Sequence, residues 1–194
     1  MATHNTIKSY NDYQRFLKSD KTALNIRCNN PIKSDNIMVL LTDPCWKFQK
    51  LLRKLEYWEN CKKAKRRFSL CNYYIYMLRK KYQSMSISLG LTIPINVFDE
   101  GLAIVHYGSI VVSRHARIGK NCTIYSCVNI GGQGTAATIG DNCYLGPGAK
   151  IIADVEIGDN VKIGANSVVN KSFRDNNITI AGVPATIVKH EALA

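Results

Sequence analysis

The sequence predicts a parallel β-helix built from six-residue repeats, preceded by an α-helical region, with residues 1–90 helical and residues 91–190 forming the solenoid. Three observations predict it. An aliphatic residue recurs every six positions at Val112, Ile118, Ile124 and Ile130, then at Ile139, Leu145, Ile151, Ile157, Ile163 and Val169. The residue after it is often Gly (Gly119, Gly131, Gly140, Gly146, Gly158, Gly164), and four positions after it sits a small or β-branched residue such as Ala116, Cys122, Val128, Cys143 or Ala149. Short β-prone pieces are punctuated by Gly, Asn and Asp, which tolerate the positive φ of tight turns. A period of six fits neither the i, i+3, i+4, i+7 spacing of an amphipathic helix nor the two-residue alternation of a half-buried strand. Each hexad is instead one short strand plus a turn, three hexads close a triangular coil, and stacked coils bury the aliphatic column. A β-sandwich would not keep sixfold registry over roughly sixty residues.

The elements follow in chain order. Tyr10 to Leu17 reads as a short helix. Asp43-Pro44, followed by Trp46, Phe48, Leu51, Leu52, Leu55 and Trp58, reads as an amphipathic helix with Asp43 as N-cap and Pro44 in its first turn. Phe68 to Leu89 reads as another helix, ending at Gly90, and its aromatic residues Phe68, Tyr73, Tyr74 and Tyr76 are expected in packing or subunit contact. The beat starts at Phe98, Ile104 and Ile110 and breaks twice. From Ile110 to Ile118 two extra residues are expected near Val111-Val112, and between Ile130 and Ile139 three extra residues lie within Gly131 to Ala137. Insertions in a solenoid go into loops, which often shape the binding face.

Composition narrows the classes. The net charge of +12 is concentrated before the repeats, notably at Lys47, Lys50, Arg53, Lys54 and Lys62 to Arg67. Such a balance suits a solvated helix face or an anionic ligand, and no nucleic-acid-binding motif accompanies it. Seven Cys, an odd number without a CxxC pair, read as reduced thiols, with Cys122 and Cys143 at the small inward position of a hexad. The polar start, free of a secretory apolar stretch, and the lack of any run long enough to span a membrane lead to the expectation of a cytoplasmic protein. No His and carboxylate set has metal-ligand spacing, so no metal is expected.

One stretch holds chemistry that the solenoid does not require. In Val105-His106-Tyr107-Gly108-Ser109, His106 lies in a turn between two aliphatic anchors, where an imidazole can be exposed at a coil corner. Imidazole is the side chain best placed for general-base work near neutral pH. The residues alone leave open a surface histidine with no role.

The hexads together with His106-Tyr107-Gly108-Ser109-Ile110-Val111-Val112, Asn129-Ile130-Gly131-Gly132, Gly146-Pro147-Gly148-Ala149-Lys150-Ile151 and Ala181-Gly182-Val183-Pro184-Ala185 resemble the serine acetyltransferase branch of the hexapeptide acyltransferases, over roughly residues 90–190. The resemblance implies a left-handed parallel β-helix and an acetyl-CoA-dependent O-acetyltransferase. His106 matches the family's catalytic histidine and would take the proton of an acceptor hydroxyl that attacks the thioester directly. Backbone N–H groups would stabilise the oxyanion. By the family's pattern CoA meets Gly131, Gly132, Gly148, Ala149, Gly164, Ala165, Ala181 and Gly182, with Lys162, Lys171 or Lys189 toward its phosphates. The resemblance also implies a homotrimer with sites between subunits.

The sequence departs from that pattern. The family's Asp-Ile-His-Pro segment, whose Asp orients the catalytic histidine, is replaced by Leu91-Thr92-Ile93-Pro94-Ile95-Asn96. The second family histidine is missing from Gln133 to Thr138. Ile93 to Phe98 is similar to the corresponding stretch of acetyltransferases acting on bacterial capsule or other surface polysaccharide. A sugar or polysaccharide hydroxyl is therefore the expected acceptor, with L-serine, in cysteine biosynthesis, and a non-catalytic assembly module as alternatives. Glu100, Asp99 or a backbone carbonyl could orient His106, and Tyr107 and Asp99 are candidates to line the acceptor site.

Overall fold

The computed structural model describes residues 5–27, 43–62, 69–132, 137–152 and 154–190. Three helices come first: α1 (Tyr10–Arg27), α2 (Pro44–Lys62) and α3 (Ser69–Leu89). Asp43 caps α2 as its position suggests, its Oδ1 accepting from the N–H groups of Cys45 (2.7 Å) and Trp46 (3.2 Å). Gly90 ends α3 with a φ of 67°. Helix α1 runs well past the expected end at Leu17. Its second half is polar in sequence, and a few tertiary contacts hold it: Ala23 and Leu24 pack with Trp46 and Ala103, and Asp20 is fully buried. Of the aromatic residues on α3, Tyr74 packs edge-on against Trp58, whereas Tyr73 and Tyr76 are exposed. Phe68 lies outside the described residues.

After Gly90 the chain forms a parallel β-helix of five coils. Its first side stacks β1 (Leu91–Thr92), β3 (Ile110–Val112), β6 (Asn129–Ile130), β9 (Lys150–Ile151) and β12 (Val168–Val169). The second stacks β4 (Arg117–Ile118), β7 (Thr138–Ile139) and β10 (Glu156–Ile157), extended by single bridges at Phe98 and Phe173. The third stacks β2 (Ala103–Ile104), β5 (Thr123–Ile124), β8 (Tyr144–Leu145), β11 (Lys162–Ile163) and β13 (Ile178–Gly182), and closes with the antiparallel β14 (Ala185–His190). The hexad residues form inner columns with no exposed area, such as Ile104, Ile124, Leu145, Ile163 and Ile180. Each such burial contributes about 1.5–3 kcal/mol. Cys122 and Cys143 are buried inward, as their hexad position requires.

The register moves one of the expected insertions. Ile110 pairs with Leu91 and Val112 with Ile130, so both belong to regular stacking. The two extra residues sit earlier, in the corner from Val105 to Ser109, because Val112 stacks in register with Ile130 as the repeating aliphatic residue, while Ile110, also buried, sits two positions before it on the same inward face. Most of the other expected insertion, residues 133–136, lies outside the described residues.

The first coil has no coil above it, and the helices take that place. Gln49 acts as a missing strand: its Nε2 donates to the carbonyl of Leu102 (2.7 Å) and its Oε1 accepts from the N–H of Ile104 (3.1 Å). Asp20 Oδ1 accepts from the N–H groups of Gly101 (2.8 Å) and Leu102 (2.9 Å), and Glu56 accepts from Asn96 (2.8 Å). Arg53 donates to the carbonyls of Phe98 (2.9 Å) and Asp99 (2.7 Å) while pairing with Asp20 (2.8 Å) and Glu56 (3.0 Å). Burial works against the charge on Arg53, but the carboxylates of Asp20 and Glu56 outweigh it and hold the guanidinium ionised. Replacing one member of this group strands the others in a dry environment. Arg53→Ala should lower the unfolding free energy by about 3–5 kcal/mol in urea titration, more than the loss for any single exposed ion pair such as Arg174–Glu156.

Candidate active site

The corner between the third and first sides holds His106, the candidate general base. In the first coil it is Val105 to Ser109, widened by the two extra residues, and it turns through Gly108 with a φ of 129°. The buried Ile104 and Ile110 anchor it on either side, leaving His106 and Tyr107 exposed between them. Gly108 N–H donates to Leu89 O and Ile110 N–H to Gly90 O, so the end of α3 holds the far limb of the corner.

Below it the same corner repeats as Tyr125 to Cys127, Gly146 to Gly148 and Gly164 to Asn166. It is stacked by bonds from Tyr125 to Leu145, Gly148 to Ser126, Gly146 to Ile163, Asn166 to Pro147 and Gly164 to Ile180. His106 therefore stands at the head of an edge that also carries Gly148, Gly164, Ala165, Ala181 and Gly182. Small residues there leave room for close approach of a ligand to backbone. At Gly148 the fold itself needs glycine, since φ is 73° and a Cβ would lie 2.1 Å from Asn166 Oδ1. Ala149 is buried with its N–H on Gly146 O and its carbonyl on Asn129 N–H. The N–H groups of Ala165 and Gly132, by contrast, donate to nothing among the described residues. Lys189 lies opposite Thr179 on the closing strand of the third side.

Other expected site residues are not brought together within one chain. Gly131 and Gly132 occupy the next corner, between the first and second sides, where Gly131 N–H donates to Ile151 O. Glu100 sits at the corner before β2, at the opposite end of that strand from His106. Its carboxylate pairs with Arg15 (2.9 Å) and Lys120 (3.1 Å). Burial acts to raise its pKa, yet hydrogen bonds and charge from Lys120 and Arg15 hold it below the ordinary carboxyl value. Asp99 is buried and accepts from the N–H groups of Asn5 (3.0 Å) and Glu100 (2.7 Å). Neither carboxylate is bonded to His106, so the expectation that one of them orients it is not met in this chain. Arg15 and Lys120 claim Glu100, and backbone N–H groups of Asn5 and Glu100 claim Asp99.

The imidazole of His106 has no hydrogen-bond or ion-pair partner among the described residues. Its neighbour is aromatic: the Tyr125 ring lies edge-on at 5.9 Å between centroids, and Tyr144 lies 5.2 Å beyond. Sequence reasoning passed over both tyrosines. Only the strand alternation could have found them, because each flanks an inward residue (Ile124, Leu145) and so faces outward on the same side. Among the described residues no group of three or more His, Cys, Asp or Glu is placed to hold a metal ion, and no helix is long and apolar enough to cross a membrane.

The fold is a β-solenoid built from hexapeptide repeats, and residues 136–171 match the family described as bacterial transferase hexapeptide (six repeats). Among the most similar curated relatives are serine acetyltransferases. That of Staphylococcus aureus (strain N315) is 39% identical over 97 residues, covering 47% of this chain and 45% of the relative. That of Staphylococcus xylosus is 41% identical over 95 residues, covering 46% and 44%. The matched stretch thus spans less than half the length of these relatives. Among solved structures, Neisseria gonorrhoeae serine acetyltransferase superposes with a TM-score of 0.73 at 24% identity, covering 96% of this chain and 70% of that one. A serine acetyltransferase in complex with CoA superposes at 0.70 with 26% identity, covering 92% and 71%.

The carboxylate of Glu100 has a testable consequence. A folded-state pKa held below the unfolded one contributes stability above the ordinary value of 4.5 and loses it as pH falls through the lowered folded value. The difference in thermal midpoint between the wild type and Glu100→Gln should therefore be present at neutral pH and vanish on acidification below that value.

Proposed function

We propose that the chain is an acetyl-CoA-dependent O-acetyltransferase with His106 as general base. The carrying observation is the widened corner, which holds an exposed imidazole, unpaired among the described residues, at the head of an edge of Gly and Ala backbone. The similarity to serine acetyltransferases, one of them in complex with CoA, supports acetyl-CoA as donor. His106 would accept the hydroxyl proton of the acceptor as its oxygen attacks the thioester carbonyl. The tetrahedral oxyanion would be held by backbone N–H groups, and collapse would expel the CoA thiolate. Within one chain His106 and the Gly131-Gly132 corner lie on different edges. A homotrimer, in which one copy's Gly131-Gly132 faces its neighbour's His106, would complete the site.

Two acceptors are supported by different observations. L-serine is the acceptor named by the relatives. A sugar or polysaccharide hydroxyl is favoured by the chain's own residues: the segment from Ile93 to Asn96 lacks the family's Asp and His, and the carboxylates nearest in sequence to His106 are engaged with Arg15, Lys120 and backbone N–H groups. Tyr107, Tyr125 and Tyr144 around the corner suit stacking against a saccharide ring.

Thiol release from acetyl-CoA tests both levels. His106→Ala should lower the rate by roughly 10²- to 10⁴-fold, and an unchanged rate would remove the general-base role. L-serine should give slow release compared with the best of a panel of neutral and acidic saccharides. Fast release with L-serine alone would assign the acceptor to the amino acid. No CoA binding and no release with any acceptor would favour an assembly module.

A further inference from the structure

We propose that Tyr125 is the positioning residue for the His106 imidazole, doing with an aromatic ring what a carboxylate does in related enzymes. The inference rests on the general-base reading of His106 and adds the group that holds it. A catalytic imidazole needs a fixed orientation, usually supplied by a hydrogen bond at its second nitrogen. Here the acidic residues of the same coil are engaged elsewhere: Asp99 holds Asn5 and Glu100 backbone, and Glu100 holds Arg15 and Lys120. No described group hydrogen-bonds the imidazole, and its one ring contact among the described residues is Tyr125, with centroids 5.9 Å apart and planes at 62°.

That geometry is the edge-to-face arrangement aromatic pairs prefer. Tyr125 is itself well held. It follows the fully buried Ile124, its N–H donates to Leu145 O at 3.2 Å, and the Tyr144 ring lies 5.2 Å behind it, tilted by 54°. The column runs across three successive coils, from His106 through Tyr125 to Tyr144, so the solenoid's stacking fixes the imidazole through rings. No atom is transferred to Tyr125; the proton passes from the acceptor oxygen to His106 and later leaves with the thiol.

The test uses the full chain with Tyr125→Leu, which keeps bulk but removes the ring, and Tyr125→Phe, which keeps the ring but removes the hydroxyl. Steady-state thiol release is measured with acetyl-CoA and the best acceptor of the panel above. The ring-proton resonances of His106, assigned by their loss in His106→Ala, are followed by NMR. We expect Tyr125→Leu to lower kcat roughly two- to tenfold with KM for acetyl-CoA unchanged, and to move the His106 resonances by removing the ring current. Tyr125→Phe should restore both. Unchanged kcat in Tyr125→Leu, a fall in kcat with unmoved His106 resonances, or a Phe variant as poor as Leu would each overturn the proposal. Should the wild type transfer acetyl to no acceptor, the general-base reading fails, and the resonances alone decide whether Tyr125 holds the ring.

Discussion

The open upper edge of a β-solenoid is a row of backbone groups that lack a neighbouring strand, and in this chain side chains from two helices supply that neighbour. Gln49, Asp20, Glu56 and Arg53 between them take N–H groups of Asn96, Gly101, Leu102 and Ile104 and carbonyls of Phe98, Asp99 and Leu102. An unpaired edge invites pairing with another chain, and buried unpaired groups cost about 1–3 kcal/mol each. The first coil is thus defined by its cap as much as by its own hexads. The core reflects this, since Cys45, Phe48 and Leu52 of α2 pack into the same cluster as the inner columns of the solenoid. At the other end β14 folds back on β13 and closes the third side.

The position of the candidate base follows from that cap. Ile104 is bonded to Gln49, and His106 comes two residues later, at the place where the corner widens. The corner's other limb is tied to the end of α3 at Leu89 and Gly90. His106 is therefore gripped through backbone on both sides while its side chain makes no ion pair among the described residues. The charges that could have bonded it are drawn to the corner at the other end of β2, where Arg15 and Lys120 neutralise Glu100. Separating acid from imidazole in this way leaves aromatic contact to orient the ring.

The comparisons divide along the same line. The superposition on serine acetyltransferases extends over nearly the whole chain at 24% identity, and the sequence match is confined to less than half of the curated relatives. What the superposition shares is the fold, the stacked coils preceded by helices.

The sequence by itself determined the solenoid, because strand, turn and inward residue all repeat within a single hexad and need no partner to be recognised. Asp43 and Gly90 were legible for the same reason, as helix ends are set by local backbone bonding. His106 stood out by its motif. Only the tertiary structure decided the rest. The true place of the two-residue insertion depends on which of the inward-facing Ile110 and Val112 stands in register with the next coil's Ile130, which the strand pairing settles as Val112. The length of α1 depends on contacts of Asp20, Ala23 and Leu24 with residues far along the chain. The partners of Glu100 include Arg15, separated from it by 85 positions, and the ring beside His106 belongs to the next coil. A six-residue period fixes what each coil looks like, but which side chains meet between coils and cap is set by long-range register and charge, and these carry no local pattern.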